Sequence, residues 1–152
     1  MVYDFSRMST AKDLSKEAPR SPTVRLRDYV MLARTIDKCR SELAGTIGEY
    51  HYNCPLDQEL FEFKKIDAED FKKSVETADH DDDVALWFDQ AGVHKTQHEI
   101  QDWSDDVEAY KPYENPEKRE WFVGECTRLG IDPATTTLFQ YLDIDDAASF
   151  KS

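Results

Sequence analysis

The spacing of apolar residues between Asp28 and Ala44 constrains this chain most. Tyr29, Leu32, Ile36, Cys39 and Leu43 recur at alternating steps of three and four, and Gly45 follows. That period draws one apolar stripe along a helix, and a glycine just past its end supplies the left-handed residue that stops helices. Weaker versions of the same signal fill the rest of the chain. Asp67 is placed to cap a helix that runs through Ala78 and buries Ala68, Phe71, Val75 and Ala78. The run Asp79 to Asp83 suits the positive end of a next helix, whose inner face is Val84, Trp87, Phe88 and Ala91, with Gly92 as its stop. Thr96 with Glu99 three residues on is a capping box for a helix that buries Ile100, Trp103, Val107 and Tyr110.

Asn115-Pro116 reads as the opening of another helix, with Phe122, Cys126 and Leu129 inside and Gly130 at its end. Asp132-Pro133 precedes a last short helix around Leu138, Phe139 and Leu142, and then an acidic tail. One stretch is ambiguous. Asp57 to Lys64 reads as a short helix, but the alternation in Phe61-Glu62-Phe63 also fits a strand. Six helical signals against one doubtful strand predict an all-α fold: a compact multi-helix bundle with an irregular polar and aromatic loop after its first long helix.

The two prolines of Ala18-Pro19-Arg20-Ser21-Pro22 favour extended backbone, so residues 1–21 are expected to form a flexible arm with Leu14 as its docking point. Residues 22–152 then form a single helical domain, in which 22–92 is the core and 95–152 an acidic helical half. At 152 residues the chain is long enough to bury a real core. Its net charge of −13 leans toward disorder, but 8 Phe, 7 Tyr and 3 Trp argue against that.

The charge is uneven. Residues 1–56 carry nine basic and seven acidic side chains, whereas 57–152 carry ten basic against 25 acidic. An acidic field opposes duplex DNA and anionic membrane surfaces, so neither nucleic acid nor membrane is an expected partner. No apolar run approaches the roughly 20 residues of a membrane span, and the first residues lack the apolar stretch of a secretory signal. Three cysteines without close pairing (Cys39, Cys54, Cys126) fit reduced thiols, and a cytoplasmic location is expected. Cys39 and Cys126 lie on apolar stripes, and Cys54 is the one thiol in a polar setting.

The informative anomaly lies on the first helix. At roughly 100° per residue, Arg40 comes within about 40° of the apolar stripe, flanked by Asp37, Ser41 and Arg34, with Lys38 a little further round. A guanidinium aimed at a core must keep its hydrogen bonds, because an unpaired buried charge costs several kcal/mol. Asp37, Glu49 and Asp57 are its candidate partners. Three readings follow: a buried ion-pair network tying the next loop to the helix, an anion site made by Arg34, Lys38 and Arg40 with Glu49 and Asn53, or an Arg40 that reaches solvent along its own stem. The loop that follows gathers Glu49, Tyr50, His51, Tyr52, Asn53, Cys54 and Asp57, an unusual variety for a connection.

The candidate ligand-binding set is therefore Arg34, Asp37, Lys38, Arg40, Glu49, Tyr50, Tyr52, Asn53 and Asp57, with His51 as a possible general base. No triad spacing, Walker motif, dinucleotide glycine fingerprint or nucleophile elbow accompanies them, so no catalytic residue, cofactor or metal is expected. His94 and His98 are four apart, but the Thr96 cap places His94 ahead of its helix and breaks the zinc-binding face.

Several motifs appear in order: Pro19-Arg20-Ser21-Pro22, Leu32-Ala33-Arg34, Ile36-Asp37-Lys38 with Arg40, and Gly48-Glu49-Tyr50 through Cys54-Pro55-Leu56-Asp57. With Phe61, Phe63, Ile66-Asp67, Phe71 and Trp87 they make residues 19–91 resemble an uncharacterised bacterial family known only as a domain of unknown function (DUF5069-like). The likeness is looser through Trp103 and the Leu138 to Asp146 stretch. It implies a bacterial cytosolic protein and transfers no catalytic residue. Related sequences commonly carry a glycine before the Ile66 position, where this chain has Lys65. The expected function is a ligand-binding or protein-interaction module using the Arg34–Asp57 patch, toward a small anionic ligand or a protein partner. The alternative is a small cofactor-independent enzyme acting on an anionic metabolite.

Overall fold

The structure is a computed structural model and describes residues 11–150. Seven α-helices make up the described residues: α1 (Leu32–Ala44), α2 (Pro55–Lys64), α3 (Ala68–Thr77), α4 (Asp81–Gln90), α5 (Gln97–Ala109), α6 (Arg119–Leu129) and α7 (Leu138–Ser149), with a 3-10 turn at Pro112–Glu114. The fold is all-α, as the apolar periodicities require.

Helix α1 is the axis of the bundle. Every residue from Leu32 to Ser41 is buried, the charged ones included, so the helix has no solvent face along most of its length. The expected stripe is there, except that Leu43 at its end is exposed. The helix also starts later than its stripe. Arg27, Asp28 and Met31 adopt positive φ, and Leu26 and Tyr29 exchange backbone hydrogen bonds in a tight turn. Tyr29 still enters the core, where its ring meets Phe88 edge-on at 4.9 Å and its hydroxyl donates to Asp89 Oδ1 at 3.0 Å. Ser104 of α5 holds this turn by accepting from Val30 N and donating to Asp28 O. Three non-glycine residues take the left-handed conformation because the turn's contacts outweigh their steric cost.

Helix α2 resolves the ambiguity at 57–65. Pro55 sits in the first turn, where its missing N–H costs nothing, and the Asp57 side chain accepts from the backbone N–H of Cys54 at the N-cap. Phe61 and Phe63 diverge by about 200° round this helix. Phe61 packs on Phe71 at 5.0 Å, and Phe63 stacks on Trp103 of α5 at 4.7 Å. The helix stops at Lys65, which takes φ 57° itself, so the lysine fills the left-handed position that a glycine would occupy more cheaply. Beyond α4, Gly92 (φ +63°) lets the chain pass so close to α2 that an added Cβ would lie 1.9 Å from Lys64 O. The Lys64 side chain is fully buried and donates to Asp89 O at 2.8 Å; burial pushes its ammonium below the usual value.

The caps expected of α3 and α5 are in place: Asp67 accepts from Asp70 N, and Thr96 and Glu99 form a reciprocal capping box. Two expectations for the C-terminal half need correction. The helix read from Asn115-Pro116 is α6, with Phe122 and Cys126 buried and Gly130 as its stop, but it begins at Arg119; Asn115-Pro116 lies in the turn before it, with the Asn115 carbonyl accepting from Lys118 N and Arg119 N. The last helix is not short and no loose tail follows Leu142, because a second capping box, Thr137 with Gln140, starts a helix that carries the acidic residues through Ser149. Phe122, Cys126 and Tyr141 form a satellite cluster between α6 and α7, joined to the main core through Leu142.

Of the arm expected over 1–21, residues 11–21 are described. Leu14 is buried, as expected of a docking point, and its N–H donates to Thr46 O at 2.8 Å. The Lys12 carbonyl accepts from Ser41 Oγ and Thr46 Oγ1. Residues 11–21 thus pack along the C-terminal half of α1, whose hydroxyls and Asp37 carboxylate need partners; residues 1–10 lie outside the described residues.

Candidate functional site

Helix α1 sends its four inward charges to four different places. Arg34 forms a two-pronged pair with Asp146 of α7, Nη1 to Oδ2 at 2.7 Å and Nη2 to Oδ1 at 3.2 Å. Tyr50 donates to the same carboxylate at 2.7 Å, and its ring lies 5.6 Å from the guanidinium carbon. Burial and the Asp146 carboxylate both push the Tyr50 hydroxyl above its usual range. This aromatic–guanidinium–carboxylate cluster fastens the loop and the last helix to α1.

Asp37 faces the docked N-terminal segment. Its oxygens accept from Arg20 through the backbone N–H (2.8 Å), Nε (3.1 Å) and Nη2 (3.0 Å). Arg20 bridges onward to Asp81 Oδ2 at 2.7 Å. Arg40 turns to the other oxygen of Asp81, at 2.5 Å. One carboxylate at the start of α4 therefore sits between two guanidiniums. Burial alone would raise the Asp81 pKa; the hydrogen bonds from Arg20 and Arg40 outweigh it and hold the carboxyl below its usual 3.8. Arg40 Nη2 is buried without a hydrogen-bond partner among the described residues.

Lys38 points to α2. Its Nζ is 2.8 Å from Asp57 Oδ2 and 3.2 Å from Cys54 Sγ. Asp57 is fully buried, and its other oxygen accepts from Thr35 Oγ1 at 2.7 Å. Tyr52 lies beside this pair: its hydroxyl donates to Ala68 O at 2.6 Å, and its ring stacks near Phe71. Burial pushes the Tyr52 hydroxyl up, and pushes the neighbouring Cys39 thiol up to about 12. Glu49, His51 and Asn53 are exposed. Asn53 takes φ 62°, and its carbonyl accepts from Gln58 Nε2.

The nine candidate residues therefore lie on α1, on the loop after it and, for Asp57, in the first turn of α2, but Arg34, Lys38 and Arg40 do not converge. The expected inward turn of Arg40 is present; its expected partners, Asp37, Glu49 and Asp57, are not the ones it uses. Asp37 is engaged by Arg20, Asp57 by Lys38 and Thr35, and Glu49 faces water. Two concave surfaces lie elsewhere: a groove of about 610 Å³ between α3 and α4 lined by Asp70, Lys73, Asp79, Asp83 and Trp87, and one of about 510 Å³ beside Phe63 and Trp103.

Sequence reasoning missed Arg20, Asp81 and Asp146 as members of the network. For Asp146 a signal existed: Phe139, Leu142 and Asp146 keep the three-and-four step of an inward face. Asp81 is hidden in a run of aspartates, of which only geometry singles out one.

The fold and the site together define an all-α protein built round a central helix whose buried charges are paired within the chain. Residues 16–148 match the family described as Domain of unknown function (DUF5069), and the chain belongs to that family. No curated protein matches the chain. No helix among the described residues is long and apolar enough to cross a membrane.

Proposed function

We propose that this protein is a non-enzymatic interaction module whose working surface is the polar loop after α1, with Glu49, His51 and Asn53 as its exposed side chains and Tyr50 and Tyr52 as its anchored base. The observation that carries the reading is the pairing of Arg34, Asp37, Lys38 and Asp57. Each is turned into the protein and matched by an opposite charge of the same chain, and the Arg34 and Lys38 pairs engage the two sides of the loop at Tyr50 and Cys54. A polar surface whose buried neighbours are already paired suits a protein partner better than a small anion, which needs donors that converge in a concavity.

Charge-altering substitutions test the reading. Glu49→Arg and His51→Glu are expected to leave the melting temperature unchanged and to abolish capture of a defined partner identified by crosslinking to this loop. Retention of that partner by both variants overturns the assignment of the surface.

One observation favours the alternative of an enzyme acting on an anionic metabolite: the unpartnered Nη2 of Arg40, one donor short of satisfaction. A thermal-shift panel of carboxylates and phosphates tests it, since a ligand at about 100 times its Kd adds about 2.7 kcal/mol. A shift that is lost in Arg40→Met supports the alternative; a panel without shifts removes it.

A further inference from the structure

The N-cap of α2 is occupied by a thiol. Such positions favour Ser, Thr, Asp or Asn, whose oxygens accept well from the first free N–H groups, and sulfur is a poor acceptor by comparison. Cys54 is also the one half-buried cysteine; Cys39 and Cys126 are buried. Its sulfur lies 3.2 Å from Nζ of Lys38, a side chain only 4% exposed. The ion pair with Asp57 explains why a lysine is tolerated there, but it does not require a sulfur atom beside the amine. A half-buried thiol and a buried ammonium thus meet, with a carboxylate 2.8 Å from the nitrogen placed to take its proton and that carboxylate steadied by Thr35.

We propose that Lys38 and Cys54 form an oxidative modification site, at which a hydroperoxide links the lysine nitrogen to the cysteine sulfur through a single oxygen. The thiolate first attacks one peroxide oxygen, giving a sulfenic acid and water. A second peroxide then oxidises the pair to S–O–N. Asp57 takes the ammonium proton as the N–O bond forms, and two further waters leave. In sum, one thiol, one amine and two hydrogen peroxides give the bridge and three waters. Sulfur and nitrogen each lose two electrons, and the peroxides accept all four. The bridge staples α1 to the start of α2. It goes beyond the proposed interaction function and does not depend on it.

The test is graded hydrogen peroxide on the intact protein, read by mass spectrometry after proteolysis without reductant. The expected product is a joined pair of peptides containing Lys38 and Cys54, heavier than their sum by one oxygen less two hydrogens. Dithiothreitol, attacking the sulfur, should separate them. Cys54→Ser keeps a capping side chain and Lys38→Arg keeps the charge facing Asp57; neither should form the joined pair, and Lys38→Arg should accumulate sulfinic and sulfonic acid at Cys54 instead. The proposal is overturned if wild type gives only those acids at Cys54, a disulfide between two copies, or a joined pair that has lost two hydrogens without gaining oxygen. Persistence of the joined mass in either variant also overturns it.

Discussion

Arg34 on the central helix and Asp146 on the last helix are 112 positions apart in the chain and form a two-pronged ion pair with both side chains almost wholly buried. The pair ties the C-terminal acidic half of the sequence to the basic N-terminal third. Tyr50 shares the carboxylate, so removing its hydroxyl leaves one Asp146 oxygen short of a donor. Tyr50→Phe is expected to cost about 1 kcal/mol in urea unfolding without changing the fold, in line with a single hydrogen bond.

The acid limb of the stability curve should carry the signature of Asp81. Its carboxyl is held below 3.8 because hydrogen bonds from Arg20 and Arg40 outweigh the effect of burial. The unfolded chain therefore binds that proton more readily than the native one. The resulting stabilisation is full above the unfolded value and is lost as pH falls through the lower native value. Asp81→Asn should be less stable than wild type at neutral pH, and the difference should shrink as pH is lowered from about 5 to about 2. Parallel curves across that range would show that Asp81 is not the group titrating.

Two glycines with similar dihedrals should respond differently to alanine. Gly45 and Gly92 both have positive φ, but nothing lies within 4 Å of a Cβ built at Gly45, whereas at Gly92 it would meet Lys64 O at 1.9 Å. Gly45→Ala should cost about 1–2 kcal/mol, the left-handed penalty alone. Gly92→Ala should cost more than that, because the α2–α4 approach must also open. Thermal melts of the two variants side by side check the order.

Helix α7 depends on its own start. Thr137 and Gln140 satisfy the first-turn N–H groups, and Asp146 lies two turns further on. Thr137→Ala should cost about 1 kcal/mol and should raise amide exchange along α7 before it does so in α1.

Much of this was legible in the residue pattern. The spacing of Tyr29, Ile36 and Cys39 marks α1, and the caps at Asp67 and Thr96 mark α3 and α5, because a helix start needs a local acceptor and a short-range pattern records it. The inward turn of Arg40 was legible for the same geometric reason. The turn at Arg27 to Met31 was not, since its left-handed residues are not glycines and are held by Ser104 from a distant helix. Nor were the ion-pair partners. Arg34 could have chosen among many carboxylates, and which one it meets is decided by how α7 packs back on α1, a long-range fact with no local trace. The chain's acidic excess hides the few aspartates that have a structural task.

The buried charges of α1 are structural and engaged within the chain. A double-mutant cycle on Arg34 and Asp146 by urea unfolding (wild type, Arg34→Met, Asp146→Leu and both together) tests this most directly. Each single change should cost about 3–5 kcal/mol, and the pair together should cost less than the sum by roughly 2 kcal/mol or more. A coupling below about 0.5 kcal/mol, the range of exposed ion pairs, would contradict the claim.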